Sequence, residues 1–241
     1  MDLVKENTNN MTSLWKLGGR SDGFYFSNDS YAISRAPHSQ WPNKLWFHKS
    51  PDSTVMNEVS ERWDLKDITT VTWSGCSPKD KELLKSHGLA LKNSLTGMSL
   101  DLKTSYRRET ALTLQEVKSS RSAIIWSQLF VNAFGYQIHP VTIEKTMHDV
   151  RYFIAISKKQ HVGTVAIYQI EPLLAGIHSM GIVSDQRRKG FAENILSGVL
   201  EIVRRKGARY AMLQASQMGK PLYQKIGFRE DFELQHFINT K

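Results

Sequence analysis

A basic turn between an apolar strand and a long amphipathic helix constrains this sequence more than any other feature. The strand ends at Ile182, the turn contains Gly190, and the helix runs to the basic residues before Gly207. Apolar residues recur through the helix at the spacing of one helical face. The sequence therefore predicts a strand, a glycine turn and a helix in direct succession. The apolar positions are Ala192, Ile195, Leu196, Val199, Leu200 and Val203.

This turn is chemically suited to an anion such as phosphate. A helix N-terminus presents unpaired backbone N–H groups and a partial positive charge, and a glycine lets an anion come close to the backbone. Arg187, Arg188 and Lys189 add three cations. A solvated basic turn at an ordinary strand–helix junction is the alternative that the turn alone leaves open, because short glycine motifs occur in many unrelated proteins.

A second motif lies further along the chain, over residues 221–228. It predicts a short helix that a glycine closes in the left-handed conformation. Together the two motifs resemble the GNAT superfamily of acyl-CoA-dependent N-acetyltransferases. Its acetyl-CoA loop, Arg/Gln-x-x-Gly-x-Gly/Ala, is matched by Arg187, Gly190 and Ala192, and its Tyr-x-x-x-Gly-Phe element by Tyr223, Gly227 and Phe228.

The resemblance implies an α/β fold with a GNAT-like mixed central sheet flanked by helices, preceded by a smaller α/β domain. The polar stretch 103–110 is the best boundary, which gives an N-terminal domain over residues 1–103 and a GNAT acetyltransferase domain over residues 104–241. The first domain resembles a degenerate GNAT relative that lost the coenzyme loop, and an unrelated α/β cap is the alternative. Because both cofactor motifs lie in the second range, we expect that range to bind coenzyme when produced alone.

Hydrophobic periodicity predicts the other elements. We expect residues 1–30, which are rich in Asn, Ser, Gly and Asp, to be a loose start that docks locally. Helices are predicted at 54–63, at 79–86, from a cap at Ser120 or Ser122 to Gly135, and around 141–150, and strands at 31–35, 45–48, 68–73, 95–102, 112–117, 151–158, 162–170, 177–182, 210–215 and 233–238.

The resemblance also implies which residues hold the coenzyme. The acetyl thioester would lie against the splayed strand before the loop, where a backbone N–H stabilises the oxyanion that forms when an amine attacks. N–H groups of the loop would hold the pyrophosphate. Ser216 stands where many relatives have an Asn that contacts the pantetheine arm, and its hydroxyl can donate as well as accept. The implied cofactor-binding residues are Met180, Gly181, Ile182, Arg187, Arg188, Lys189, Gly190, Phe191, Ala192 and Ser216.

Two residues are predicted to take part in catalysis. Many family members place a Glu base beside the strand before the loop, but residues 176–181 contain no carboxylate. His178 could serve directly or through water, and a histidine hydrogen-bonded on the strand face is the alternative, with Glu171 as a further candidate base. By its match to the family motif, Tyr223 would donate a proton to the departing thiolate. The alternative for Tyr223 is an aromatic ring that packs the helix.

Charge and composition limit the classes of function. The chain has 241 residues and 32 Lys and Arg against 23 Asp and Glu, a net charge of +9 that favours an anionic partner such as coenzyme A. Its basic residues form no stripe with interleaved aromatics, which argues against nucleic acid. The single cysteine, Cys76, excludes an internal disulfide and a cysteine-based zinc site and fits a reducing compartment. Because no apolar run reaches membrane-spanning length, we expect a soluble, cytoplasmic protein with no membrane partner. We also expect no metal cofactor.

The leading prediction is an enzyme that transfers an acetyl group from acetyl-CoA to a primary amine by direct attack in a ternary complex. We expect a small-molecule amine rather than a protein as the acceptor, and a homodimer is one assembly left open. Two alternatives remain at this stage, namely a catalytically idle acyl-CoA-binding sensor and a basic nucleic-acid-binding module. The second would show a steep salt dependence of its affinity for DNA or RNA.

Overall fold

A computed structural model describes residues 1–73, 77–106 and 111–240. Cys76 and part of the predicted boundary stretch lie outside the described residues. The helices are α1 Leu3–Asp22, α2 Ser53–Arg62, α3 Pro78–Ser86, α4 Ser120–Phe134, α5 Pro140–Thr146, α6 Phe191–Arg205 and α7 Lys220–Ile226. The strands are β1 Phe24–Ser27, β2 Tyr31–Arg35, β3 Lys44–Phe47, β4 Thr69–Trp73, β5 Leu89–Asp101, β6 Leu112–Glu116, β7 Val150–Ser157, β8 Gln160–Glu171, β9 Leu174–Ile182, β10 Tyr210–Ala215 and β11 Arg229–Asn239.

These strands form one mixed sheet in the order β1-β2-β3-β4-β11-β5-β10-β9-β8-β7-β6. Alternate residues of a strand point to opposite faces, and β7 shows the result. Phe153 packs in one buried cluster with α6, whereas Tyr152 and Ile154 pack in another with α1, α4 and α5. The sheet therefore has helices on both faces, which confirms the predicted fold class.

Strand β5 joins the two halves of the sequence. It pairs antiparallel with β10, from Thr96 opposite Ala215 to Asp101 opposite Tyr210, and with β11 along its other edge. A strand from residues 1–103 thus lies between two strands from residues 104–241. The division at residue 103 stays a prediction about the sequence, but the sheet runs continuously across it.

The sheet opens between β9 and β10. These two strands run parallel and pair only from Leu174 opposite Tyr210 to Gly176 opposite Met212. Further along, β9 carries a register shift against β8, and Ser179 has a positive φ of 52°. Backbone groups of β9 that face β10 beyond Gly176 have no strand partner, so the predicted splay before the glycine turn is present.

The expectation of a loose N-terminus is wrong, because residues 3–22 form the 20-residue helix α1. Asp2 caps it by accepting a hydrogen bond from the backbone N of Lys5 at 3.1 Å. Met11, Leu14 and Trp15 are buried at helical spacing on its inner face. Asparagine, threonine and glycine occupy other positions of the same face, and they obscured the apolar period in the sequence.

Most other predicted elements agree with the structure within a few residues, and two details differ. The cap of α4 is Ser119, whose hydroxyl accepts from the backbone N of Ser122 at 3.3 Å, rather than Ser120 or Ser122. Ser122 Oγ in turn accepts from the backbone N of Ser119 at 3.1 Å, so the pair forms a capping box. Strand β5 begins six residues earlier than predicted, at Leu89.

Candidate active site

A cleft of about 860 Å³ is lined by residues from both sides of the opening between β9 and β10. Ile177 to Met180 line it from β9, and Leu213 and Gln214 line it from β10. Helix α1 contributes Met11, Leu14 and Trp15, so the N-terminal half forms part of the wall. The cleft therefore depends on elements from both predicted domains.

The β9 residues that the resemblance assigns to the thioester lie at the end of this opening. Met180 lines the cleft, and Gly181 and Ile182 follow it toward the loop. A side chain at Gly181 would come within 2.5 Å of the Phe134 ring at the end of α4, so this position requires glycine. Where β9 has parted from β10, alternate backbone N–H groups are free to bind an external acceptor.

The loop between β9 and α6 has the conformation of an anion-binding turn. Arg188 and Gly190 both have positive φ, of 60° and 80°, and Gly190 is the residue that precedes α6. No side chain caps the helix, and residues 187–190 are exposed. The first N–H groups of α6, from Phe191 and Ala192, have no acceptor within the helix and are available to a ligand.

Arg187 braces this loop against α4. Its guanidinium donates to the backbone oxygen of Ala133 at 2.8 Å and to that of Ile182 at 3.3 Å. The backbone N of Ser184 also donates to Asn132 Oδ1 at 2.8 Å. These contacts fix the loop relative to the end of α4, and they engage the Arg187 side chain with the protein itself.

The other two cations of the loop differ from Arg187. Lys189 Nζ donates to Gln186 Oε1 at 3.0 Å within the same turn. Arg188 forms no hydrogen bond or ion pair with the residues that the structure describes. Of the three basic side chains, Arg188 is therefore the one that a bound anion could engage without breaking an existing contact.

Tyr223 lies on α7, is 8% exposed, and lines the same cleft as Met180. Its ring meets the Phe228 ring edge-on at 5.7 Å between centroids. Its hydroxyl makes no hydrogen bond to any described residue, and burial raises the pKa of the phenol above its ordinary value. Tyr223 thus has both a packing contact and a protonated hydroxyl that is free to donate into the cleft.

Ser216 follows β10 and also lines the cleft. Its Oγ accepts a hydrogen bond from the backbone N of Gly219 at 3.2 Å. This contact uses a lone pair and leaves the hydroxyl proton available. Ser216 can therefore still donate to a ligand, as the sequence suggested.

His178 projects from β9 into the cleft and is held by α1. Its Nε2 lies 2.9 Å from Asn10 Oδ1, while Asn10 Nδ2 donates to the backbone oxygen of Tyr168 at 3.0 Å. Since the amide nitrogen of Asn10 is already engaged, its oxygen must accept, and His178 Nε2 carries the proton. Burial lowers the pKa of His178 to about 4, so the imidazole is neutral at pH 7 with a lone pair on Nδ1.

Sequence reasoning missed the part that α1 plays here. Asn7 Nδ2 donates to the backbone oxygens of Met98 and Leu213, at 3.1 and 3.4 Å, and its Oδ1 accepts from Gln214 at 2.6 Å. With Asn10, it ties α1 to strands on both sides of the opening. Two asparagines one turn apart on a helix face that also carries Met11 and Leu14 were the available signal, because buried amides require partners.

Carboxylates are scarce in the cleft. Asp67 is the one acidic residue among its described lining residues, and Glu171 lies outside it at the exposed end of β8. His178 is therefore the one titratable side chain that β9 contributes to the described lining of the cleft. Within the described ranges, no group of three or more His, Cys, Asp or Glu residues is arranged to hold a metal ion.

An α/β sheet parted beside an uncapped helix N-terminus, with a cleft at the gap, is suited to hold an anionic cofactor. Residues 111–238, more than half of the chain, match the family described as "Acetyltransferase (GNAT) domain". The chain belongs to this family and is an enzyme of the acyltransferase class. No curated protein matches it in sequence.

Solved structures share the fold over almost the whole chain. A GCN5-related N-acetyltransferase from Kribbella flavida is 13% identical with a TM-score of 0.68, and the match covers 96% of this chain and 95% of that one. A GCN5-related N-acetyltransferase-like protein from Streptococcus suis is also 13% identical, with a TM-score of 0.60 and coverage of 96% and 99%. A third, from Sphaerobacter thermophilus, is 14% identical with a TM-score of 0.60 and coverage of 87% and 80%. At these identities the likeness shows the fold, and it includes the N-terminal half.

No helix in the described part of the chain combines the length and the apolar character needed to cross a membrane.

Proposed function

We propose that this enzyme transfers an acetyl group from acetyl-CoA to a primary amine by direct attack in a ternary complex. The observation that carries the proposal is the opening between β9 and β10 beside the uncapped N-terminus at Gly190. Family membership makes acyl transfer the general activity. The donor, the acceptor class and the order of events are the parts proposed here.

In this proposal the pyrophosphate binds the N–H groups from Arg188 to Ala192, and the pantetheine arm enters the gap in the sheet. The arm contains two amides, which can hydrogen-bond the unpaired backbone groups of β9. Ser216 supplies a hydroxyl from the β10 side of the gap. Arg187 contributes mainly by holding the loop on α4, because its guanidinium donates to two backbone oxygens.

The reaction then takes place at the Met180 end of the gap. The amine nitrogen attacks the thioester carbonyl, and a backbone N–H of residues 180–182 stabilises the negative oxygen of the tetrahedral intermediate. Collapse breaks the carbon–sulfur bond and gives the acetylated amine and coenzyme A. Tyr223 donates a hydrogen bond to the departing sulfur.

The attacking nitrogen must also lose a proton. His178 Nδ1 has a free lone pair at neutral pH, but a pKa of about 4 makes the imidazole a weak base. It is therefore suited to pass the proton on, directly or through water, rather than to retain it. The lining residues described near Met180 include His178 and no Glu or Asp, which supports this role for His178.

A turnover assay with a panel of amines tests the proposal. We expect release of coenzyme A thiol that depends on the amine, with the acetylated amine identified by mass spectrometry. Coenzyme binding without release for any amine would replace the proposal with an idle sensor. Salt-steep binding to DNA or RNA without coenzyme binding would instead favour a nucleic-acid-binding module.

A further inference from the structure

The cleft continues from the opening in the sheet to a set of basic side chains on the N-terminal half. We call this set the basic end, and it consists of Arg35, Lys44, Lys92 and His236. These residues come from β2, β3, β5 and β11, which are separate in the sequence but lie within the run β2-β3-β4-β11-β5 of the sheet. Among the lining residues that the structure describes, the exposed Asp67 is the one carboxylate.

The two lysines of the basic end have no anionic partner in the described structure. Neither Lys44 nor Lys92 forms an ion pair or a side-chain hydrogen bond with a described residue. Burial, together with the charge of Lys92, lowers the pKa of Lys44 to about 8. Folding thus places this ammonium where its charge is unfavourable, and a bound anion would remove that penalty.

The His236 side chain also lacks a partner among the described residues. Its Nε2 is buried and finds no hydrogen-bond partner among the described residues. Burial, with the charges of Lys44 and Lys92, lowers the pKa of His236 to about 3. A buried nitrogen without a partner is uncommon in folded proteins, and it commonly marks a place where a ligand or a water binds.

The basic end is separate from the coenzyme loop. None of residues 187–192 lines the cleft, whereas Met180, Ser216 and Tyr223, at the proposed thioester position, do. The basic end also lies at a distance from that position. Across the sheet, β11 is two strands from β10, which is about 10 Å at the usual strand spacing. Glu233 of β11 and Ala215 of β10 are both paired with Thr96 of β5, so they lie at the same level along the strands. His236 is three residues from Glu233 along β11, which adds about 10 Å in the strand direction.

We propose that the acceptor is an amine that also carries an acidic group, carboxylate or phosphate, which binds the basic end while the amine reaches the thioester. This proposal rests on the proposed function. Because the two displacements are perpendicular, the acidic group and the amine of such an acceptor are separated by roughly 14 Å. The same charges repel a second ammonium group, so the basic end also selects against diamines and polyamines.

Steady-state kinetics with matched amines test this inference. The probes are straight-chain alkylamines, ω-amino acids of increasing length, ω-aminoalkyl phosphates and diamines. We expect kcat/KM of the longer acidic probes to exceed that of the neutral amines by about 10- to 100-fold, the range of one or two charge-assisted hydrogen bonds, and diamines to be poorest. Comparison of the two acidic series distinguishes a carboxylate from a phosphate.

Two variants and a control connect the preference to these residues. Lys44→Met and Lys92→Met should each reduce the preference for acidic amines, mainly through KM. Lys85→Met, at an exposed position on α3 outside the cleft, should retain it. Equal kcat/KM for acidic and neutral amines in the unmodified enzyme, or a preference that both variants retain in full, would overturn the inference.

A binding experiment keeps this test independent of turnover. Calorimetric titration of the acidic amines, with coenzyme A present, is expected to show binding that Lys44→Met weakens at least tenfold. If no amine is acetylated but this binding is seen, the proposed function fails and the anion site remains. If the unmodified protein binds acidic and neutral amines equally, the anion site fails, whether or not acetylation occurs.

Discussion

The folded protein keeps the His178 imidazole neutral at pH 7, and this predicts how the free energy of unfolding depends on pH. Its pKa is lowered by burial to about 4, against an ordinary value of about 6.5. Below pH 6.5 the unfolded chain therefore binds a proton at this site that the folded protein does not accept until about pH 4. The free energy of unfolding must rise with pH across this window, and linkage gives a loss of about 2 kcal/mol from His178 between pH 7 and pH 5.

The substitution His178→Gln isolates this contribution. Glutamine places an amide nitrogen where it can still donate to Asn10 Oδ1, but it does not titrate. Urea unfolding of both proteins at pH 7 and pH 5 should show that the unmodified protein loses about 2 kcal/mol more than the variant. Other groups, including His236, titrate in both proteins and cancel in the difference. An equal loss in the two proteins would refute a buried, neutral His178.

Two further predictions follow from the site and the sheet. Tyr223→Phe keeps the ring contact with Phe228 and removes the hydroxyl. The kcat should therefore fall by about 10²-fold, while the affinity for acetyl-CoA stays unchanged. This decrease is at the lower end of general acid effects, because the thiolate is a tolerable leaving group. A variant with the unmodified kcat, measured where chemistry limits turnover, would leave Tyr223 with packing alone. The fragment 104–241 lacks α1 and β5, and β5 is the strand that pairs with both β10 and β11. Because β10 and β11 would then have unpaired edges, the fragment should aggregate or fold poorly. It should therefore not bind acetyl-CoA, contrary to the expectation from the sequence. Circular dichroism and calorimetry on the fragment check this, and full-chain affinity in a folded fragment would contradict it.

Local signals account for what the sequence predicted well. The period of α6, the glycine at its start and the β-rich run of β10 are all readable within a short window, and Tyr210–Ala215 was predicted with its observed bounds. Met180, Ser216 and Tyr223, which the resemblance assigned to the coenzyme site, line one cleft, and their roles stay predictions. In each case neighbouring residues carry the information.

What the sequence could not provide depends on long-range pairing. Nothing in residues 89–101 indicates that β5 lies between β10 and β11, because the partners are more than a hundred residues away. The basic end is hidden for the same reason, since Lys44, Lys92 and His236 belong to no common motif. Asn7 and Asn10 look like residues of a polar tail until the strands that they contact are known.

Calorimetric titration of acetyl-CoA into the unmodified protein, Gly190→Val and Gly207→Val tests whether the loop before α6 binds the coenzyme. Both glycines have positive φ, of 80° and 90°, and a side chain at either would meet no atom within 4 Å, so the two substitutions impose similar strain at opposite ends of α6. Only Gly190 lies where the pyrophosphate would approach the backbone. We expect Gly207→Val to bind acetyl-CoA like the unmodified protein and folded Gly190→Val not to bind it. Unmodified affinity in Gly190→Val would contradict this expectation.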